Sequence, residues 1–301
     1  MRRLAKAISP WFDSWSAEAS EDDRIDWVRV LPFIGMHLAC LSVPLVGVSP
    51  VAIAVAVALF GLRMFAITAF YHRYFSHRAF RASRPVQFVF AALGAASVQR
   101  GPLWWAAHHR IHHRHSDEES DSHSPRHGFW NSHMGWFLNR RNLRTRTEEV
   151  KDLMRFPELV WLDRFDLVVP ILLAVVLFTT GAVLEAVAPG LGTSAGQMLV
   201  WGFFISTVAL YHATFTINSV AHRVGTRRYA TKDDSRNNFL LALLTFGEGW
   251  HNNHHFYPGS ARQGFRWYEV DLSYYLLRLM AALRLVRDLR PVPPRVLKGG
   301  A

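Results

Sequence analysis

The sequence predicts an all-α integral membrane protein: four transmembrane helices in two hairpins, with a cytoplasmic helical cap carrying a histidine-ligated dimetal centre. Three observations predict it. Four long apolar runs carry a single formal charge, Arg63, among them, short turn-forming segments join them in pairs, and three clusters of histidine lie just beyond their ends.

The first pair comes from residues 30–70. No Asp, Glu, Lys or Arg occurs from Val30 to Leu62, and Arg63 is the only charge before His72. This window is about twice the ~20 residues a helix needs to cross a hydrocarbon core. Gly47-Val48-Ser49-Pro50 lies near its middle and supplies turn chemistry, so we expect spans over about 30–46 and 50–70. The second pair comes from Leu167–Leu184 and Gln197–Ala221, both uncharged and separated by Pro189-Gly190-Leu191-Gly192-Thr193; the expected spans are about 167–188 and 197–221. Val86 to Val98 is apolar but too short to cross and suits a helix lying in the interface. Leu272, Leu276, Leu279, Leu283 and Val286 recur at helical spacing and form one apolar face, suited to packing on the cap or lying on lipid. These segments define one domain over 30–290, cap segments 71–166 and 222–290 included, between tails at 1–29 and 291–301.

Charge fixes the orientation. Lys+Arg is 34 against 23 for Asp+Glu, a formal net charge of +11. The two turns carry no Lys or Arg, whereas residues 72–165 carry 15 and 223–301 carry 13. The positive-inside rule then places both termini and the histidine clusters in the cytoplasm. A basic balance that follows membrane topology, with no recognised binding module, argues against nucleic acid as a partner. The first 30 residues hold no uncharged run of signal length, so no cleaved leader is expected. The single cysteine, Cys40, excludes an internal disulfide framework and any Cys-based metal cluster.

The clusters are H-R-Y-F-S-H at 72–77, H-H-R-I-H-H at 108–113 and H-N-N-H-H at 251–255. His109, His112 and His113 fall at i, i+3, i+4, and so do His251, His254 and His255, so each set shares a helix face. His72 and His77 are five apart and cannot share a face of a regular α-helix; they are expected to bracket the site from different directions. Neutral imidazole is the commonest protein metal ligand. Eight such rings exceed what one tetrahedral or octahedral ion accepts, which implies two metals. Ligand type alone leaves zinc, copper, iron and nickel open. The membrane setting implies a substrate apolar at one end, and attack on an unactivated methylene requires a redox metal and oxygen.

With G-E-G-W-H-N-N-H-H at 247–255, H-x-G-W from His133 to Trp136 and Asn218-Ser219-Val220-Ala221-His222 added to these boxes, residues 30–280 resemble the membrane-bound fatty acyl desaturases, within them the acyl-CoA Δ9 (stearoyl-CoA-type) branch. The resemblance implies insertion of a cis double bond into a saturated acyl chain, using O2, two iron ions and two electrons from an external donor. It implies metal ligation by His72, His77, His109, His112, His113, His222, His251, His254 and His255, with Asn218 acting through water. It does not divide the nine histidines between the metals. Many relatives carry Asp where His108 stands; His108 is expected in a supporting or surface role, and His37, His115, His123, His127, His133 and His212 in structural ones. The chain lacks a cytochrome b5-like haem signature, so the donor is expected to be a separate protein of ferredoxin, rubredoxin, cytochrome b5 or flavin reductase type. Acyl-CoA and membrane lipid are the other expected partners, and the compact length fits a bacterial inner membrane. The same histidine pattern also fits an alkane or lipid hydroxylase, or a desaturase of phospholipid-bound chains. A non-enzymatic metal carrier fits poorly, because its spans would hold ionisable groups.

For the substrate, Trp105 matches a tryptophan lining the family's substrate region. Arg100, Arg140 and Arg141 are placed to contact the phosphates of a CoA headgroup, which guanidinium suits geometrically; positive-inside bias or lipid phosphate accounts for Arg140 and Arg141 equally well. Phe60 and Met64 precede His72 by two to three helical turns. There they either close the end of an acyl tunnel or face lipid.

Overall fold

The computed structural model describes Ser9 and residues 11–299. Of the expected tails, residues 1–8, Pro10, Gly300 and Ala301 lie outside this range. Two apolar helices come first, α1 (Trp27–Val46) and α2 (Pro50–Ser76). Three shorter ones follow: α3 (Arg84–Ala95), α4 (Pro102–His115) and α5 (Pro157–Arg164). Two more apolar helices come next, α6 (Val168–Val187) and α7 (Ala195–Ser219). The chain ends with α8 (Phe239–Leu244), α9 (His251–Phe256), α10 (Leu272–Ala282) and α11 (Pro294–Lys298). The only sheet among the described residues is a two-residue antiparallel pair, β1 (Arg81–Ala82) with β2 (Val286–Arg287).

Among the described residues α1, α2, α6 and α7 are the four helices long and apolar enough to cross a membrane. Their starts follow from capping. The Asp26 carboxylate accepts from Arg29 N, so α1 begins three residues before the expected position. Ser49 caps α2 with Pro50 at its first position, after a turn in which Gly47 takes φ 74°. Ser194 and Gln197 form a reciprocal capping box at α7. A 2.5 Å hydrogen bond between the Ser49 and Thr193 hydroxyls joins the two turns, and Trp201 Nε1 donates to Gly47 O, so both turns occupy one end of the molecule.

Of the two arginines inside α2, Arg63 lies within its apolar run and is internalised. Arg63 donates to Leu59 O, Ala96 O, Thr207 Oγ1 and Ser206 Oγ, which ties α2 to α7 and to the turn after α3. Apolar side chains such as Leu41, Leu45, Val57, Ile171 and Leu172 point outward from the spans, as a lipid-facing surface requires.

At the other end, the aromatic core of Phe70, Tyr71, Phe75, Leu103, Leu159 and Leu277 holds α3, α4, α5 and α10 around the end of α2. Two expectations change here. First, α2 continues six residues past 70, because its polar end finds partners inside the protein rather than meeting water. Second, the expected tails pack on the body: Ser14 donates to Asp163 O, Ile25 bridges Asn139, and Val296 of α11 is buried beside Tyr229 and Phe265. Of the two directions open to the α10 stripe, packing on the cap or lying on lipid, its leucines take the outward one. Leu276, Leu279 and Leu283 are exposed while Ser273, Leu277 and Met280 are buried, because α10 carries apolar residues on more than one side and the core takes the neighbouring face.

Candidate metal centre

The histidines are positioned by local structure on α2, α4, α9 and the segment after α7. From Ala66 to Ser76, α2 is wound as a π-helix, and His77 N donates to His72 O across five residues. That winding corrects the expectation for the first box: residues five apart come onto one side, and the two ring centroids lie 5.0 Å apart. The start of α4 is fixed by Asp163, whose Oδ1 accepts from Leu103 N and Trp104 N while Oδ2 accepts from Trp15 Nε1 and Thr145 Oγ1. Asp163 fits there because Gly101 has no side chain; a Cβ would stand 2.3 Å from Asp163 Cα. Burial raises the Asp163 pKa, against the pull of these donors.

All nine imidazoles named from the sequence converge, and they divide into two groups. His72, His77, His109, His113 and His254 form one; His112, His222, His251 and His255 form the other, with ligand atoms within 4.8 Å of one another in each. Thus α4 and α9 each send residues to both groups. Facing Nε2 atoms lie 2.9 Å apart for His72–His254, 2.8 Å for His77–His109, 2.9 Å for His113–His254 and 3.0 Å for His222–His251.

Carboxylates stand behind the rings. Asp121 Oδ2 lies 2.9 Å from His112 Nδ1, Asp117 Oδ2 2.9 Å from His222 Nδ1, and Asp233 Oδ2 2.8 Å from His255 Nδ1. Glu248 contacts His72 Nδ1 and also pairs with Arg73. An ionised carboxylate accepts only, so each of these Nδ1 atoms carries the proton and each Nε2 lone pair is turned inward. Burial opposes ionisation of Asp121, yet His112 and His123 outweigh it and hold the carboxyl well below its usual range. The same balance holds for Asp117 against His222, Asp233 against His255, and Glu248 against His72 and Arg73. Burial, reinforced by the neighbouring rings, pushes His77, His109, His113, His251 and His254 far below the ordinary imidazole pKa. These five rings are therefore neutral, the ligand form.

The donor set fits metal ions. His255 Nε2 is buried without a hydrogen-bond partner, a costly arrangement unless a cation takes its lone pair. Imidazole nitrogens bound at about 2.0–2.1 Å on adjacent corners of an octahedron stand about 2.9 Å apart, which matches the facing pairs. These four carboxylates were not singled out from the sequence. The available signal was the acid-rich run following the second box, Asp117 to Asp121, and Glu248 just ahead of the third.

A cavity of about 220 Å³ opens beside this centre and is lined by His72, His109, His112 and His251. Trp105 lines it and stacks on His109 with centroids 5.0 Å apart. Asn218 lines it one turn before His222, and its amide makes no hydrogen bond among the described residues. Arg100, with φ 69°, also reaches the cavity and pairs with Asp166 at 3.1 Å. The remaining expected substrate residues do not line it. Arg140 pairs with Asp22 and Asp26, and Arg141 with Glu21 and Asp23. Met64 is fully buried with Leu210, Ala213, Phe60 and Phe246, about a turn below the lining residues Ile67 and Thr68, so it does not face lipid.

His108 is buried rather than on the surface; it packs against Trp104 and Trp136, and burial pushes its pKa down to about 3. His123 shares Asp121 with His112. His133, His212 and His37 form a hydrogen-bonded chain ending on Phe33 O.

Comparison with known proteins gives this geometry its context. Residues 49–288 match the family model described as fatty acid desaturase. An acyl-CoA 5-desaturase of Anemone leveillei is 34% identical over 91% of this chain and 85% of its own. An sn-1 stearoyl-lipid 9-desaturase of Anabaena variabilis is 34% identical over 90% of this chain and 96% of its own. A Δ9 acyl-lipid desaturase of Arabidopsis thaliana is 33% identical over 89% and 84%. With a family match across most of the chain and such relatives along nearly their whole length, this chain is an oxidoreductase belonging to the fatty acid desaturase family.

Proposed function

We propose that the protein inserts a cis double bond at the Δ9 position of a saturated acyl chain, with two iron ions held by the nine histidines and Asn218 joined through water. The observation that carries this reading is the pair of imidazole groups at the wall of a largely apolar cavity. The balanced reaction takes the two adjacent methylenes, O2, two electrons and two protons to an alkene and two waters, with the electrons supplied by a separate donor protein. Bound iron supplies the redox chemistry that no side chain offers. The chain's own contribution is placement: His72, His109, His112 and His251 set one wall, Trp105 is held against His109, and the four carboxylates fix the ring orientations.

The carrier has two readings. Arg100, which lines the cavity, suits the phosphates of acyl-CoA. A glycerolipid carrier is favoured by Arg140 and Arg141, whose charges are already matched by residues 21–26. A cytoplasmic site, which follows from the distribution of basic residues, remains part of the proposal, as does a bacterial inner membrane.

Expression in a cell without its own desaturase, followed by mass spectrometry of its lipids, tests the reaction. A new Δ9 double bond, abolished by His112→Ala with loss of bound iron, is the expected result. Hydroxylated chains without new unsaturation would overturn it. Purified protein given stearoyl-CoA or stearoyl-glycerolipid separates the carriers.

A further inference from the structure

A second cleft, sharing no lining residue with the first, lies on the other side of the π-wound end of α2. It measures about 680 Å³, within the size of sites that enclose a small ligand. Its floor includes Tyr74, Phe80, Leu153 and Phe156, and its rim carries Arg78, Arg81, Arg84, Arg155, Arg287 and Arg290. The β1–β2 pairing sets Arg81 opposite Arg287. Only Asp152 and Asp288 lie among the lining acids. Arg78 pairs with Asp152, Arg81 with Asp288, and Arg84 with Glu158 just outside. Arg155, Arg287 and Arg290 make no ion pair among the described residues, so three guanidinium groups remain for an anion.

Gln87 adds an independent observation. It lines the cleft, is 2% exposed, and accepts from the Tyr74 hydroxyl at 3.0 Å through Oε1. Its Nε2 is buried without a partner. A buried amide donor left empty is costly, and an acceptor seated in the cleft would satisfy it. The surroundings indicate where that acceptor comes from. Phe88 and Val89 of α3, just after Arg84, are exposed, and so are Leu279, Leu283 and Leu285, just before β2. Apolar side chains that flank a guanidinium rim are the arrangement of a surface lying at headgroup depth in a bilayer.

We propose that this cleft binds the phosphate of an anionic phospholipid headgroup, a lipid distinct from the substrate. Guanidinium groups of Arg155, Arg287 and Arg290 take the phosphate oxygens and Gln87 Nε2 donates from below. The site does not touch the metal centre, so its failure would leave the desaturase reading standing.

The test uses the full-length protein in neutral detergent, titrated calorimetrically with dihexanoyl phosphatidylglycerol, dihexanoyl phosphatidylcholine and inorganic phosphate. The expected result is saturable binding of the phosphatidylglycerol at least tenfold tighter than of the other two. Arg155→Glu with Arg287→Glu should weaken it at least tenfold, and Gln87→Leu several-fold, with bound metal unchanged. Both arginines are exposed, so the double variant decides the matter if the Gln87 variant does not fold. Equal binding of the two lipids, or indifference to the arginine pair, overturns the site. Inorganic phosphate binding as tightly as the anionic lipid overturns the lipid assignment in favour of a free-phosphate site.

Discussion

Asp166 illustrates how much of this chemistry is settled by single residues. It lies beside the cavity, paired with Arg100 and faced also by Asp163 and Arg29. Burial pushes its pKa up to about 6, against the pull of Arg100 and with reinforcement from Asp163. Above that pH the carboxylate holds Arg100; below it the proton neutralises Asp166 and frees the guanidinium for an anionic headgroup. With an acyl-CoA substrate, KM should therefore fall as pH drops through about 6, and Asp166→Asn should show the low KM throughout. A pH-independent KM in the unmodified enzyme would remove Asp166 from substrate binding. Asp233 makes the complementary case for metal affinity. Asp233→Asn keeps the shape but no longer requires the proton on His255 Nδ1, and loss of such a support typically lowers metal affinity about 10–100-fold, which a competitive chelator titration reads directly. Sequence alone named the rings and not these carboxylates, for a physical reason. Helical spacing says which residues share a face, but Asp233 meets His255 only through the tertiary fold, across 22 residues.

At the scale of elements, the four spans were legible because a helix of some twenty uncharged, apolar residues is poorly suited to any solvent but lipid. The end of α2 was not. Hydropathy stops at the polar box, and face-counting assumes 3.6 residues per turn, whereas π winding reunites His72 and His77. The α10 stripe was legible only in its period: its direction stayed open between cap and lipid, since periodicity carries no information about which side meets the core. The element most exposed to a single change is α4, which supplies rings to both groups from a start locked to Asp163. Gly101→Ala would place a Cβ 2.3 Å from Asp163 Cα and 2.4 Å from Oδ1, and neither backbone can yield without moving α4 or α5. Overpacking of this kind costs about 1–3 kcal/mol. We expect a lower Tm together with reduced metal content, since displacement of α4 shifts His109, His112 and His113 as one body. A lower Tm with full metal content would show that the strain is absorbed elsewhere.

For the whole molecule, the question is where the acyl chain stops. The two turns are bonded to each other at one end, and Arg63 ties α2 to α7 midway. The cavity starts at the histidines of the opposite end and reaches Ile67 and Thr68 on α2, with Thr214 and Ile217 on α7 facing them. About one turn further from the histidines along α2, Met64 fills the space against Leu210 and Ala213 of α7 and against Phe246. The depth available to a chain threaded past the metal centre is therefore set by side-chain volume at a helix–helix contact held on both sides, and a lid or loop is not needed to define it. Met64→Ala removes that volume while Arg63 keeps the helices in register. Because the neighbours are constrained, the space should persist as an extension of the cavity rather than collapse. The preferred substrate should lengthen by about two carbons, as a terminal segment of about two methylenes takes the space that the Met64 side chain leaves. The double bond should stay at the same carbon, because the distance from headgroup to metals is unchanged. Product analysis with saturated chains of graded length measures both quantities in one experiment. Longer products with the double bond displaced would mean that the chain is positioned from its methyl end, and an unaltered length profile would place the end of the cavity elsewhere than Met64.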